Sequence, residues 1–147
     1  MENKNLILVL AATIGSCLAE ALGGWDASLQ LLLAMMAADY VTGLLVAAVW
    51  KKSGKSKTGR LDSRAGFVGL CRKGVALVVV WVAVALDRAL GGRYVRTAVC
   101  LFFAGNEGLS LMENLGLMGV PYPKFLKNAL EALRDTGDEG GSLHDGG

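Results

Sequence analysis

The segment Val95–Pro123 reads VRTAVCLFFAGNEGLSLMENLGLMGVPYP and decides how the rest of the chain is interpreted. It is apolar and long enough to cross a bilayer, because a helix rises about 1.5 Å per residue and the hydrocarbon core is about 30 Å thick. At about 100° per residue, its polar side chains fall within roughly one third of the helix circumference. These polar residues are Asn106, Glu107, Ser110, Glu113 and Asn114. The opposite side is rich in glycine, at Gly105, Gly108, Gly116 and Gly119.

This two-sided pattern restricts where the segment can lie. A carboxylate at the centre of a membrane helix costs about 2.5 to 3.5 kcal/mol, so Glu107 and Glu113 are not expected to face lipid. We therefore predict a helix over 95–118 whose polar side meets partner helices or water and whose glycine side allows another helix to approach closely. A soluble amphipathic helix packed on a core is the alternative for this segment taken alone.

The composition favours a membrane protein over a soluble domain. The chain has 147 residues, enough for one domain, with 53% hydrophobic and only 19% charged residues. The apolar residues come in long runs, which predict helices over about 6–22, 29–50 and 67–86. The first run resembles a signal peptide, but a second apolar run follows almost at once, which favours a membrane helix.

Two of these predicted helices carry an acid. Glu20 lies near the end of the first helix, and Asp39 lies almost at the centre of the second. An ionisable residue at membrane depth indicates either a functional site or a hydrogen bond between helices, and both readings stay open here. Gly43 and Ala47, four residues apart, predict a close helix contact.

Basic residues concentrate in the stretch from the end of the second helix to the start of the third. Eight of the 15 Lys and Arg residues form the predicted cytoplasmic basic loop between positions 51 and 73: Lys51, Lys52, Lys55, Lys57, Arg60, Arg64, Arg72 and Lys73. Short basic loops stay in the cytoplasm, and such a loop also contacts anionic lipid headgroups, so nucleic acid is not an expected partner. The third helix needs Arg72 and Lys73 to be long enough, and we expect both side chains to snorkel toward headgroups.

The predicted fold is an all-α, polytopic integral membrane protein with four transmembrane helices. Three crossings are the alternative, with 95–118 at the interface or in the lumen of an oligomer. Four crossings place both termini in the cytoplasm. Pro123 begins a short amphipathic helix over 123–134, expected on the membrane surface or on a partner. Residues 1–134 thus form one membrane domain, and 135–147 an acidic, glycine-rich flexible tail.

The sequence gives no sign of catalytic or metal chemistry. Cys17, Cys71 and Cys100 are dispersed and lack CxxC spacing, which argues against a disulfide framework or a metal site. The only histidine is His144, in the tail. Neither a Ser/His/Asp set nor a phosphate-binding glycine loop in a strand-to-helix context is present. We therefore predict no enzyme activity and no cofactor.

Five pieces in order resemble the toxin-secretion/phage-lysis holin family and together cover more than half of the chain. They are DYVTGLLVA at 39–47, GFVGLCRK at 66–73, LDRALGG at 86–92, NEGLSLMEN at 106–114 and GVPYPKFL at 119–126. The resemblance implies a small phage-encoded or prophage-derived protein of the bacterial cytoplasmic membrane. It also implies assembly into lesions that release an endolysin or a large toxin, and an inhibitory antiholin as a possible partner.

Three function classes follow from the residues and the resemblance. The leading hypothesis is a pore-forming holin whose polar face lines a shared wet surface, with Asp39 and Glu20 adding to it. A small proton-coupled transporter is the second, in which Glu20 would alternate between proton and cation; the basic loop and the second acidic cluster fit it poorly. A membrane scaffold, using its acids and amides only for hydrogen bonds between helices, is the third.

Overall fold

The computed structural model describes residues 2–140, and within them the fold is all-α, as predicted, without strands. Five helices follow in order: α1 Glu2–Ala21, α2 Ala27–Leu45, α3 Ser63–Leu90, α4 Tyr94–Met118 and α5 Lys124–Asp138. A π-helical turn, Val46–Trp50, prolongs α2 without a break.

The helix boundaries differ most from the sequence prediction at α3 and α5. Helix α3 is 28 residues long because Asp62 accepts a hydrogen bond from the Arg64 backbone amide at 2.9 Å and so caps an earlier start. Helix α5 continues to Asp138, so the first four residues of the predicted tail, 135–138, are helical. Residues 141–147 of that tail, including His144, lie outside the described residues.

Three of the described helices are long and apolar enough to cross a membrane. They are Asn3–Ala21, Ala27–Trp50 and Ser63–Leu90. Helix α4, with its polar middle, is not among them, although its 25 residues rise about 37 Å and would span the hydrocarbon core. The fourth crossing stays a prediction.

The core lies where α2, α3 and α4 meet. It is built from Leu32 and Met36 of α2, Ala76 and Val80 of α3, and Cys100 and Ala104 of α4. Helix α4 lies between the other two, which touch each other far less than each touches α4. Helix α1 is exposed along its whole apolar length, as expected for a helix covered by lipid or by another chain.

The contacts of α4 give the directions of its neighbours. Its early residue Arg96 contacts the α1–α2 turn and its late residue Asn114 contacts Thr42, so α4 runs parallel to α2. Helix α3 is antiparallel to α4. Helix α5 turns back and packs along α4, with Leu130 against Gly108. The sequence predicted that α5 lies on the membrane surface or on a partner. In the structure α5 packs instead on α4 of the same chain.

Candidate functional site

A cluster of charged side chains joins α2, α3 and α4 at mid-height in the bundle. The Lys73 ammonium of α3 donates to Asp39 Oδ2 of α2 at 2.7 Å and also to Glu107 Oε2 of α4. The three side chains are only 12%, 4% and 18% exposed, respectively. We call these three residues, together with Lys55 and Asn114, the charged hub.

Lys55 reaches the hub from the loop between α2 and α3. Its Nζ lies 3.4 Å from each carboxylate oxygen of Asp39 and 3.4 Å from Ser110 Oγ. Its side chain remains half exposed, unlike that of Lys73. Asp39 is thus shared by two ammonium groups, and the two acids and two bases of the hub balance in formal charge.

Asn114 completes the hub on the loop side. Its amide nitrogen donates to Asp39 Oδ1 at 3.0 Å, to the Asp39 carbonyl oxygen at 3.2 Å and to Thr42 Oγ1 at 3.0 Å. Across residues 2–140, no buried side-chain nitrogen or oxygen lacks a hydrogen-bond partner. Complete pairing is what allows a polar network to persist inside an apolar bundle.

A cavity of about 230 Å³ lies beside the hub and extends toward the loop of residues 51–62. Asn106, Glu107 and Ser110 of α4 line one side of it, and Tyr40 and Arg72 lie on other walls. The cavity is therefore polar on its α4 side, large enough for water and adjacent to the ion pairs.

A second polar cluster, which we call the arginine clamp, lies where α3 gives way to α4. The buried Arg96 guanidinium donates to the carbonyl oxygens of Leu22 and Gly24 and to the Asp26 carboxylate. Asp87 accepts from the Val95 and Arg96 backbone amides, each at 3.0 Å. The clamp thereby ties the α1–α2 turn, the end of α3 and the start of α4 together.

The clamp also alters the acidity of one carboxyl group. Hydrogen bonding from Arg96 is the main cause that lowers the pKa of Asp26 from 3.8 to about 2. The Leu29 backbone amide and the Ser28 hydroxyl donate to the same carboxylate and act in the same direction. Asp26 is therefore held in its charged form at the N-terminus of α2, where a negative charge is favourable.

The structure brings together only part of the polar set predicted from sequence. Asp39, Glu107 and Asn114 meet in the hub, Ser110 contacts Lys55, and Asn106 borders the cavity. Glu113 is exposed on the outside of α4, and Glu20 is exposed on α1, away from the hub. Which of these side chains line a pore stays a prediction.

The predicted small-residue face is used within the protomer. A Cβ atom at Gly105 would lie 2.6 Å from the Arg134 backbone nitrogen, and one at Gly108 would lie 2.5 Å from a methyl carbon of Leu130. The absence of side chains at these two positions allows α5 to pack closely. Gly116 and Gly119 have no such neighbour within 4 Å, whereas Gly43 lies near the hub and Ala47 is buried.

The eight residues of the predicted basic loop lie partly in a loop and partly in helix α3. The loop holds Lys51, Lys52, Lys55, Lys57 and Arg60, whereas α3 holds Arg64, Arg72 and Lys73. Arg72 is exposed, as snorkelling requires, but Lys73 differs from the prediction because its side chain turns inward. Two carboxylates at that depth need a cation, and Lys73 supplies it.

Sequence reasoning missed Lys73 as a partner and Arg96 altogether. The signal for Lys73 was present, since a cation interrupting an apolar segment is expected to pair with an acid at similar depth. For Arg96 no local pattern pointed to its partners, which lie about 70 residues earlier in the chain. Within the described part of the chain, no three His, Cys, Asp or Glu side chains are grouped so that they could hold a metal ion.

Comparisons with known proteins identify the family of this chain. The model of the bacteriophage holin family matches residues 16–135. An uncharacterised 14.9 kDa protein from the nagH 3' region of Clostridium perfringens is 40% identical over 138 residues, covering 92% of this chain and 98% of that protein. A protein of Bacillus phage phi105 named a probable holin is 34% identical over 112 residues, covering 76% and 77%. No solved structure matches the chain. The chain therefore belongs to the bacteriophage holin family.

Proposed function

We propose that this protein is a phage holin that self-associates in the bacterial cytoplasmic membrane and opens lesions leading to host cell lysis. The lesions would let an endolysin, or a large toxin in toxin secretion, leave the cell. The observation that carries the proposal is the family match over residues 16–135 in a chain with three apolar candidate spans. We expect no catalytic activity and no cofactor.

The charged hub supports a protomer that is harmless while dilute. Asp39 and Glu107 are neutralised by Lys73 and Lys55 inside a single chain, so neither carboxylate has to face lipid before assembly. The protein can then accumulate without opening the membrane, as a delayed lysis function requires. Other copies of this chain and membrane lipids are the expected partners, and an inhibitory antiholin is a further one.

We propose four crossings, with the basic loop and both termini in the cytoplasm. Helix α4 runs parallel to α2 along its length and lies between two apolar spans, which favours a crossing for α4 as well. The positive-inside rule orients the loop that holds Lys51 and Lys57. A membrane-impermeant amine reagent should modify these two lysines only after inner-membrane permeabilisation. Modification in sealed cells with a permeable outer layer would reverse the orientation.

We propose that polar residues of α4, with Asp39 and Glu20, contribute to the wet surface of the assembled lesion. Glu113 and Glu107 test this proposal separately, because Glu113 is exposed whereas Glu107 belongs to the hub. We expect Glu113→Leu to delay or abolish timed lysis with normal membrane insertion, and Glu107→Leu also to disturb the hub. Unchanged lysis timing in both variants would end the proposal for α4.

Induced expression in bacteria, with and without a co-expressed cytoplasmic endolysin, tests the function as a whole. A holin should depolarise the cells abruptly, and optical density should collapse only when the endolysin is present. A proton-coupled transporter would instead give substrate-specific efflux without lysis. A scaffold would form stable oligomers without a change in membrane potential.

A further inference from the structure

The outer face of α5 carries charged side chains although the helix lies at the depth of the apolar spans. Helix α5 packs along α4, which in turn lies between the apolar spans of α2 and α3. The lipid or water that surrounds these spans at a given depth therefore also contacts α5. What this placement implies for the lesion rests on the proposed holin function.

The contacts between α5 and α4 fix the height of α5 in the bundle. Arg134 lies against Gly105, only two residues from the hub carboxylate of Glu107. Further along, Gly137 lies against the Phe102 backbone and Gly140 against Ala98, near the start of α4. Helix α5 thus returns through most of the depth of the bundle, and its middle lies near the level of the hub.

Glycines allow α4 and α5 to pack closely against each other. Gly105 and Gly108 on α4 and Gly137 on α5 each lack the Cβ atom that would collide with the facing helix. The α5 side chain that enters this contact most fully is Leu130, which is 3% exposed. Close backbone approach with small residues on both sides is the usual form of helix association inside membranes.

The other face of α5 is largely polar, with Phe125 (72% exposed), Ala129 and Ala132 as its apolar members. Lys124, Lys127, Asn128, Asp135 and Asp138 are exposed along it. Charged side chains of both signs at mid-membrane depth cannot be placed against hydrocarbon, and an aspartate is too short to snorkel from there. This face needs water or a polar surface.

We infer that the outer face of α5 forms the wet wall of the assembled lesion, with copies of α5 from several protomers surrounding the water. This arrangement does not require the charged hub to open first, because the polar wall is already on the outside of the protomer. It also gives the chain a physical reason to associate, since a lone protomer in lipid would expose the same charges.

The wall would be polar but close to neutral. Helix α5 contains three basic and three acidic side chains, Lys124, Lys127, Arg134, Glu131, Asp135 and Asp138. Lys127 and Glu131 pair across one turn at 3.8 Å, and Arg134 pairs with Asp135 at 2.9 Å. The lesion should therefore discriminate little between small anions and cations.

Thiol labelling during induced lysis tests the assignment. Asn128→Cys and Thr136→Cys place a thiol on the exposed face of α5, and Val78→Cys places one on the exposed apolar face of α3 as a matched control. A membrane-impermeant maleimide is added before and after the cells depolarise. Labelling is quantified on peptides by mass spectrometry, so the native Cys17 and Cys71 need not be removed.

We expect both α5 thiols to be labelled at least ten-fold faster after depolarisation and the Val78→Cys thiol to stay unlabelled. Depolarisation and lysis with no gain of labelling at either α5 position would overturn the inference and leave the holin function standing. Equal gains at all three positions would also overturn it, because general membrane rupture would then explain the labelling. A chain that never depolarises the cells would remove the proposed function and the inference with it.

Discussion

The two polar clusters of this protein differ in what they bind together. The ion pairs of the charged hub join side chains of three helices, so they can be exchanged for others without unfolding a helix. The arginine clamp instead binds backbone groups, namely two carbonyl oxygens of the α1–α2 turn and two amides at the start of α4. We therefore expect the hub to be able to rearrange and the clamp to act as a fixed anchor.

The largest effect is expected from removing the central cation of the hub. Lys73→Met leaves Asp39 and Glu107 as two nearby carboxylates in a mostly buried site, and breaking a buried pair in this way costs about 3 to 5 kcal/mol. The free energy of unfolding should fall by that amount in detergent titrations. The neighbouring Arg72→Met is the control, since Arg72 is exposed and makes no ion pair among the described residues.

A triple variant makes the same test more specific. Lys73→Met combined with Asp39→Asn and Glu107→Gln removes all three charges together, and neutral replacement of a buried ionic set is often tolerated. Most of the lost stability should return. If the triple variant is as unstable as Lys73→Met, packing of the lysine side chain rather than charge pairing holds the hub.

The next largest effect is expected at the clamp. Arg96→Gln leaves the Leu22 and Gly24 carbonyl oxygens without their donor and should cost about 2 kcal/mol. Hydrogen exchange should become faster across residues 22–29 and at the start of α4. Arg93→Gln, an exposed change three residues away, should do neither. Faster exchange throughout the bundle would mean that the clamp is not a local anchor.

The difference between the clusters also explains what could be predicted from sequence. The positions of the helices could be predicted from the apolar runs and from the Gly and Pro residues that end them. The placement of Glu107 and Asn114 on one side of α4 could be predicted from helical spacing alone. The pairing of Lys73 with Asp39 and Glu107 depends on how three helices align in height, which spacing within one helix does not determine. The packing of α5 on Gly105 and Gly108 likewise needs the direction of the chain after Pro123.

A smaller effect is expected from the neutral member of the hub. Asn114→Leu removes three hydrogen bonds, two of them to Asp39, and should cost about 1 kcal/mol, because polar contacts between membrane helices are individually weak. Asn106→Leu, on the same helix beside the cavity, is the matched control and should change the unfolding free energy little. A larger loss at Asn106 than at Asn114 would show that the cavity wall, and not the hub, limits stability.

The smallest effect is a pH dependence that belongs to the clamp. Because Arg96 lowers the pKa of Asp26 from 3.8 to about 2, the folded state binds a proton at Asp26 less readily than the unfolded state does. The stabilisation is therefore complete above the unfolded pKa and is lost as the pH falls from about 4 toward 2. Since the side chain is half exposed, solvent screening should keep the loss below about 1 kcal/mol. Unfolding titrations at pH 5 and pH 2.5 measure it, and Asp26→Asn should remove this part of the pH dependence. An identical fall in the wild type and in Asp26→Asn would assign the acid sensitivity to other carboxylates and leave the clamp without a pH-dependent contribution.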